Sequence, residues 1–225
     1  MGRSQTMRAV EFWGGVMWIA VAQFFIVMAL VQRAWPVPYD PVRNSISDLG
    51  RLTCSPTLCS PWHGLMNASF VALGLCIAGG ALAAELSSPQ VSAISRTAAA
   101  ILILTGLGTI GVGLVPNDTI VWLHTVVAAF AIVGSNTGTI FTGWALRRTR
   151  GMTVVGALGI AAGLLGWAFT LVLGAAHLGA SALLPYGGLL ERGAAFPTMV
   201  ALIISGGALV RGDWVDRMNV PASPG

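Results

Sequence analysis

The sequence predicts an all-α membrane protein that forms one bundle of six transmembrane helices. Two features of the composition favour this fold class: 55% of the 225 residues are apolar, and only 9% are charged. A soluble domain carries about 25% charged residues, so this chain lacks the polar surface to face water on all sides. The third observation is a series of six apolar stretches, each near the length of about 20 residues that spans a bilayer. Soluble enzyme folds, disordered proteins and nucleic-acid modules are therefore excluded, and the net charge of +4 is spread along the chain.

Six stretches lack Asp, Glu and Arg in their middle, and we take them as the spans of a single membrane domain over residues 1–225. They cover residues 12–32, 61–84, 97–116, 120–146, 152–176 and 193–210. The first apolar run is too long for a signal peptide and no A-x-A cleavage pattern follows it, so we expect a retained anchor. In the fifth span, Gly156, Gly159, Gly163 and Gly166 share one helix face. Such small residues allow close helix packing, either inside the bundle or, alternatively, in a dimer.

The distribution of Arg predicts the orientation of the bundle. All 12 basic residues are Arg, and with both termini in the cytoplasm eight of them would lie inside: Arg3, Arg8, Arg96, Arg147, Arg148, Arg150, Arg211 and Arg217. The other four would lie outside: Arg33, Arg43, Arg51 and Arg192. Because cytoplasmic loops carry an excess of positive charge, we expect a multi-pass protein of the inner (plasma) membrane with cytoplasmic termini.

The first outer loop contains a segment, residues 40–50, whose pattern predicts a short amphipathic helix. Asp40 is a suitable N-cap, Pro41 fits the first helical position, and Gly50 would end the helix in the left-handed conformation. The apolar stripe would consist of Val42, Ile46 and Leu49, and the polar face of Asn44, Ser47, Asp48 and Arg51. The alternative is a capped loop in which Asp48 and Arg51 form a solvated pair.

The stretch Asn44-Ser45-Ile46-Ser47-Asp48-Leu49-Gly50 resembles the signature of a prokaryotic integral-membrane family that is catalogued as domain of unknown function 998. Four further parts agree in order: Asn67, residues 113–116, His124 and residues 188–192. The resemblance covers most of the chain, from residue 12 to residue 210. It implies a six-helix bundle and candidate positions, but no reaction.

Three polar side chains fall at membrane depth, namely Gln23, Asn67 and Asn136. A polar group there is costly unless it is paired or faces an interior cavity. Each of the three would therefore form an interhelical hydrogen bond. In the alternative interpretation, Asn67, His124 and Asn136 line a polar channel that leads from the outer face toward the midplane.

The leading functional hypothesis is an enzyme that acts on a lipid or isoprenoid-like substrate entering from the bilayer. Its acid–base groups would be Asp48, His124 and Glu191, and its substrate-binding residues Arg43, Asn44, Arg51, Asn67, Asn136 and Arg192. The Arg side chains would bind a phosphate or hold the carboxylates. Asp48 and Glu191 would retain a proton, and could donate it, if they lie among apolar side chains at the outer end of the bundle. A neighbouring Arg would instead favour the ionised carboxylate, and the sequence does not decide between these two states. A small transporter or channel, and a non-catalytic subunit of a membrane complex, are the alternative functions.

Other chemistries have weaker support in the sequence. No Gly-x-Ser-x-Gly motif is present, and no Ser is distinguished as a nucleophile. His63, His124 and His177 with Asp48 would offer three nitrogens and one oxygen to a catalytic metal, but no paired-histidine spacing supports such a site, so the cofactor stays unknown. In an oxidising compartment Cys54 and Cys59 would form a disulfide that closes a small loop.

Overall fold

The computed structural model describes residues 3–87, 92–149 and 151–211, and this part of the chain is helical without any strand. Seven α-helices follow in order: α1 Arg3–Ala20, α2 Gln23–Arg33, α3 His63–Ser87, α4 Ala93–Leu114, α5 Val121–Arg147, α6 Thr153–His177 and α7 Gly187–Val210. Two short 3-10 helices, Ser47–Gly50 and Ser181–Tyr186, lie in the connections. Because α1 and α2 together form one span, the structure contains six helical segments long and apolar enough to cross a membrane. The predicted six-span multi-pass bundle is confirmed.

The first span is interrupted between α1 and α2, where a continuous helix was predicted. The amide of Phe24 donates to the Val21 carbonyl oxygen at 3.1 Å, which is the tighter i to i−3 pattern of a 3-10 turn. At this break, the side chain of Gln23 forms two hydrogen bonds with Ser69 of α3, of 2.9 and 3.2 Å. An amide at membrane depth needs such partners, so the helix break and the pairing of Gln23 occur together.

The six spans form a closed ring. Its order is α1, α3, α4, α5, α6 and α7, and α1 packs against both α3 and α7. The helix α5 also contacts α7, so these two helices approach each other across the ring. A Cβ atom added to Gly143 of α5 would lie 2.6 Å from the carbonyl oxygen of Gly156 of α6. The glycine stripe of α6 therefore packs against α5 inside the bundle, which accounts for it without a dimer.

Three connections lie at the same end of the bundle because successive spans are antiparallel; we call this the loop end, formed by residues 34–62, 115–120 and 178–186. The predicted α-helix over residues 40–50 is not formed there. An α-helix would need the Ile46 amide to donate to Val42, but Ile46 donates to Glu191 at 2.6 Å, and the Val42 carbonyl accepts from Leu189 at 3.0 Å. The chain instead makes a turn after Asp40 and then the 3-10 helix Ser47–Gly50.

Gly50 is required for close packing and not for a left-handed backbone. Among the described residues, positive φ angles occur at Gly151 and Gly179, so the predicted left-handed ending at Gly50 is wrong. A Cβ atom at Gly50 would collide with the side-chain oxygen of Asn67, whose amide group donates to the Gly50 carbonyl at 2.9 Å. The loop therefore lies directly on α3 at this point.

Candidate functional site

The signature segment 44–50 is closed on itself by a capping box. The Ser45 hydroxyl accepts from the Asp48 amide at 3.1 Å, and the Ser45 amide donates to the Asp48 carboxylate at 2.9 Å. The other carboxylate oxygen of Asp48 accepts from the Asn117 side chain at 3.0 Å, in the turn between α4 and α5. The Asp48 carboxylate is thus committed to loop contacts, which fit a positioning role for this residue.

Arg192 attaches the same loop to α7. Its Nη1 donates to the carbonyl oxygens of Pro41, Asn44 and Gly188 at 3.0, 2.9 and 2.8 Å, and its Nη2 donates to the Tyr39 hydroxyl. Burial raises the pKa of Tyr39, although the nearby Arg192 acts in the opposite direction, so the phenol stays a neutral donor and acceptor. The Arg192 side chain is buried, and the bonds of its Nη1 and Nη2 atoms go to backbone carbonyls and to Tyr39. These contacts describe a clamp between the first loop and α7.

Three side chains from distant parts of the chain meet at one point, and we call them the relay: Glu191, Ser47 and His124. The Ser47 hydroxyl lies 3.2 Å from Glu191 Oε1 and 3.1 Å from His124 Nε2. The other carboxylate oxygen of Glu191 accepts from the Ile46 amide at 2.6 Å. His124 Nδ1 lies 2.6 Å from the carbonyl oxygen of Val115. The relay therefore connects the first loop, α5 and α7.

The partners of the relay determine where its protons lie. A carbonyl oxygen only accepts, so His124 Nδ1 carries a hydrogen and Nε2 is the nitrogen that exchanges a proton with Ser47. The single hydroxyl hydrogen of Ser47 points to either His124 or Glu191. When the relay holds one proton more than neutral His124 with ionised Glu191, each of its hydrogen bonds has a donor and an acceptor in two arrangements. In the first, His124 is an imidazolium and Glu191 is ionised. In the second, His124 is a neutral imidazole and Glu191 is protonated. Two proton transfers through the Ser47 oxygen convert the first arrangement into the second: Nε2 gives its proton to the Ser47 Oγ, and Oγ gives its own proton to Glu191.

The relay lies at the head of a cavity of about 60 Å³ inside the ring. Its walls are mainly apolar, with a few hydroxyls, and come from α2, the first loop, α3, α4, α5 and α7: Phe24, Ile46, Ser47, Phe70, Leu73, Ile77, Thr105, Thr109, Val112, Ala128, Ala131, Ile132, Ser135, Glu191, Ala195, Thr198, Met199 and Leu202. Among these described lining residues, Glu191 alone has an ionisable side chain. This volume exceeds the roughly 10–15 Å³ that one water needs, so the cavity has room for several waters or for part of a hydrocarbon chain.

The cavity ends within the bundle. A second cavity of about 30 Å³ lies toward the opposite end and is lined in part by Leu102 and Ser205. Ile77 and Leu202 line the first cavity, and these two side chains and Leu102 are each at most 3% exposed. This apolar layer lies between the two cavities.

Asn67 and Asn136 do not extend the relay into a polar channel. Asn136 is fully buried and donates to Thr170 of α6 at 2.9 Å, outside the described lining of the cavity. Asn67 holds the Gly50 carbonyl. Asn136 thus forms the expected interhelical hydrogen bond, whereas Asn67 bonds to a carbonyl of the first loop and not to another spanning helix.

The remaining Arg side chains lie apart from the relay. Arg43 is exposed and pairs with Asp40 at 3.5 Å. Arg51 Nη1 lies 3.9 Å from Asp48 Oδ1, so the expected Asp48–Arg51 pair is present but long. Arg43 and Arg51 therefore each pair with an acidic residue of the first loop.

The histidines do not assemble into a metal centre. His63 Nδ1 lies 2.9 Å from the Ser60 carbonyl, and His177 Nδ1 lies 2.9 Å from the Leu173 carbonyl. Within the described ranges, no group of three or more His, Cys, Asp or Glu side chains is arranged to hold a metal ion. The three histidines have separate partners on different elements, so the described residues do not gather them as the metal alternative requires.

A second set of contacts fixes the rim of the loop end. The Sγ atoms of Cys54 and Cys59 are 2.00 Å apart, at bonding distance. Asp118 accepts from the Thr53 hydroxyl at 2.6 Å and from the Thr53 and Leu52 amides at 2.7 and 3.2 Å. Burial raises the pKa of Asp118, but these hydrogen bonds outweigh burial and lower the pKa to about 2.

The sequence assigned Asp48, His124 and Glu191 to one site; in the structure His124 and Glu191 both contact Ser47, which the sequence did not single out. The predicted helix put Ser47 on the same polar face as Asp48, whereas in the structure the two side chains have different partners. The Ser45-x-x-Asp48 spacing of a capping box could have indicated this difference. It favours a turn that begins at Ser45 and occupies the Asp48 side chain, which leaves the Ser47 side chain to other partners.

Comparison with known proteins agrees with the architecture. The family model described as "Protein of unknown function (DUF998)" matches residues 18–208, which include all parts of the relay and all six spans in whole or in part. Neither the curated proteins nor the solved structures provide a match. With a six-span bundle and a match over most of its length, the chain belongs to the DUF998 family.

Proposed function

We propose that this protein is a membrane enzyme that acts on a lipid or isoprenoid-like substrate by acid–base chemistry. The observation that carries the proposal is the apolar cavity headed by the Glu191 carboxylate and the Ser47 hydroxyl. A ligand with a small polar head and a hydrocarbon chain matches this distribution of polarity. The reacting group would lie at the relay, and the chain would occupy the cavity.

The relay supplies the chemistry that the proposal needs. A positioned acid and base accelerate proton transfer by about 10²–10⁴-fold. Glu191 and Ser47 face the cavity, and His124 lies behind Ser47 with its ring held by the Val115 carbonyl. Protons can therefore pass between a bound substrate and His124 without bulk water. In this assignment Asp48 and Arg192 position the loop and do not react.

The closed base of the cavity favours an enzyme over an open channel. The buried layer of Ile77, Leu102 and Leu202 lies between the two cavities, and it is apolar. A permeation path would need polar groups or water at this depth. In the proposed orientation, the loop end faces the outside of the plasma membrane and both termini are cytoplasmic, as the Arg distribution predicts.

Photocrosslinking tests whether a lipid occupies the cavity. The protein in nanodiscs is exposed to a monoacylglycerol that carries a diazirine on its acyl chain, and crosslinked peptides are mapped by mass spectrometry. We expect labelling of cavity residues on α3 and α7, such as Leu73 and Leu202. Ala131→Phe fills the cavity from α5 and should reduce this labelling at least tenfold. The matched control is Val126→Phe on the same helix, where the side chain is exposed to the surroundings of the bundle.

The two variants separate cavity binding from labelling at the lipid-facing surface. Equal labelling of cavity peptides in Ala131→Phe and Val126→Phe, with both variants as resistant to thermal unfolding as the wild type, would contradict the proposal. Should Ala131→Phe unfold at a lower temperature, competition by an excess of unlabelled monoacylglycerol on the wild type provides the second measurement. Labelling that does not fall under competition would also contradict it.

A further inference from the structure

The geometry points to Ser47 as a nucleophile that forms a covalent acyl intermediate with an uncharged lipid ester. This inference rests on the proposed function, because it names the substrate class and the reaction at the same cavity. It goes beyond proton exchange by assigning a bond-forming atom, the Ser47 Oγ.

The surroundings of Ser47 are those of an activated hydroxyl. A serine becomes nucleophilic when a base lies within hydrogen-bonding distance and a third group orients that base. His124 Nε2 lies 3.1 Å from the Ser47 Oγ, and Val115 orients the ring through Nδ1 at 2.6 Å. A backbone carbonyl here occupies the position that a carboxylate takes in a Ser-His-Asp arrangement. The tautomer it imposes leaves Nε2 as the proton acceptor.

Access from the cavity distinguishes Ser47 from the other hydroxyls nearby. Ser47 lines the cavity, whereas its base His124 is not among the described lining residues. Thr198 and Ser135 also line the cavity, but they bond to each other at 3.3 Å and to carbonyls of their own helices. A ligand in the cavity therefore meets Ser47 on one side, while the base approaches from the other.

The backbone around Ser47 is held in place before any substrate arrives. The capping box of Ser45 and Asp48 surrounds the residue, and Glu191 accepts the Ile46 amide. Nucleophilic attack needs the reacting atoms at about 3–3.5 Å with the correct orientation, so a fixed loop contributes to the rate. Asp48 and Arg192 act as positioning residues in this scheme.

The reaction balances as an ordinary acyl transfer. The cycle starts with neutral His124 and protonated Glu191, and Glu191 is the proton carrier that faces the cavity. The Ser47 Oγ bonds to the ester carbonyl carbon while its proton passes to His124 Nε2. The ester C–O bond then breaks, and Glu191 gives its proton to the departing alkoxide, which leaves as an alcohol. Water loses a proton to the Glu191 carboxylate and attacks the acyl carbon. The Ser47 Oγ leaves with the proton held on Nε2, and the products are a carboxylic acid, the regenerated serine and protonated Glu191.

The charge of the cavity selects an uncharged ester. Glu191 is the one ionisable side chain in the described lining, and it lies 3.2 Å from the Ser47 Oγ. An ionised Glu191 would repel a phosphate or carboxylate at this position, because like charges a few ångströms apart inside a protein interact strongly. The hydrogen bonds of Arg192 Nη1 and Nη2 go to backbone carbonyls and Tyr39, and Arg192 is not among the described lining residues of the cavity. A neutral acyl ester satisfies both the apolar walls and the acidic head.

Labelling with a fluorophosphonate tests the nucleophile. The probe is an uncharged fluorophosphonate with a single alkyl chain, applied to the full-length protein in nanodiscs, and the modified residue is located by peptide mass spectrometry. We expect one adduct, on Ser47. Ser47→Ala should abolish it, and His124→Gln should slow labelling by about 100-fold or more, because removal of a general base costs about 10²–10⁴ in rate. The control is Thr125→Ala, which removes an exposed hydroxyl next to His124 on α5, outside the described lining of the cavity, and should label at the wild-type rate.

Each result has a defined consequence. Unmodified Ser47 in wild-type protein that still crosslinks the diazirine lipid would overturn the nucleophile and leave the proposed lipid-binding function standing. Labelling that persists in Ser47→Ala, or that proceeds at the wild-type rate in His124→Gln, would also overturn it. Loss of lipid crosslinking in the cavity would overturn the proposed function itself. Thermal unfolding of every variant, together with diazirine crosslinking, shows that an unlabelled variant is still folded.

Discussion

Arg192 holds the first loop on α7, and its replacement by alanine tests whether the relay depends on that clamp. The substitution removes three hydrogen bonds to backbone carbonyls, of 2.8 to 3.0 Å, and the contact with Tyr39. A hydrogen bond from a charged donor contributes about 1.5–3 kcal/mol. The contacts share one guanidinium and water will reach the vacated carbonyls, so the sum is not additive. We expect the closed loop to lose about 3 kcal/mol relative to the open one, which is roughly a 100-fold change in that equilibrium.

Hydrogen–deuterium exchange measures this loss where it should occur. The amides of Asn44, Ser45, Ile46 and Asp48 are bonded within the loop or to Glu191, so they are protected while the loop is closed. In Arg192→Ala, we expect these amides to exchange up to about 100-fold faster than in the wild type. Amides in the middle of α3 and α4 should be unaffected, because those helices pack against each other and not against Arg192.

Arg43→Ala is the matched control for the loss of one Arg from the same end of the bundle. Arg43 is exposed and makes one ion pair of 3.5 Å with Asp40, and such pairs contribute about 0–1 kcal/mol. Equal exchange in the two variants would refute the clamp, and would favour the original assignment of Arg192 to substrate binding. Faster exchange over the whole bundle would refute it as well, since the effect would then be global unfolding.

Three further predictions concern the rim of the loop end, the contact of the loop with α3, and the orientation. The hydrogen bonds to Asp118 outweigh its burial and lower its pKa from 3.8 to about 2. They therefore stabilise the rim above about pH 4, and this stabilisation is lost as the pH falls through 2. Pepsin should cut the 51–59 loop increasingly between pH 4 and 2, and Asp118→Asn should remove this pH dependence. Gly50→Ala places a methyl group against Asn67 and should lower the free energy of unfolding by about 1–3 kcal/mol, measured by thermal unfolding. Gly64→Ala is the control, because nothing lies within 4 Å of its new Cβ, and it should leave the free energy of unfolding unchanged. Equal effects of the two variants would contradict the close packing of Gly50 on Asn67. A reporter inserted after residue 148 should report the cytoplasm, and a signal from the outer face would reverse the proposed orientation.

The fold was largely predictable, and the candidate site only in part. Hydrophobic length identified six spans because the bilayer imposes that requirement on each helix separately. The pattern of residues 40–50 predicted a helix, but the acceptor that Ile46 uses belongs to Glu191, which lies 145 positions further along the chain. Local propensity contains no information on such a partner. The break at Gln23 was missed for the same reason, because its partner Ser69 lies on another helix.

The sequence by itself determined that the chain is a bundle of apolar helices and that polar groups of the signature collect at one end. Those properties follow from composition, span length and chain direction, each of which can be determined segment by segment without knowing which residues meet in the fold. The tertiary structure alone decided which polar groups meet. It directs Asp48 to Asn117, commits Arg192 to the loop, and places the Ser47 hydroxyl between His124 and Glu191. Hydrogen bonds act over about 3 Å, so the packing of three separate elements, and not their order in the chain, selects the partners.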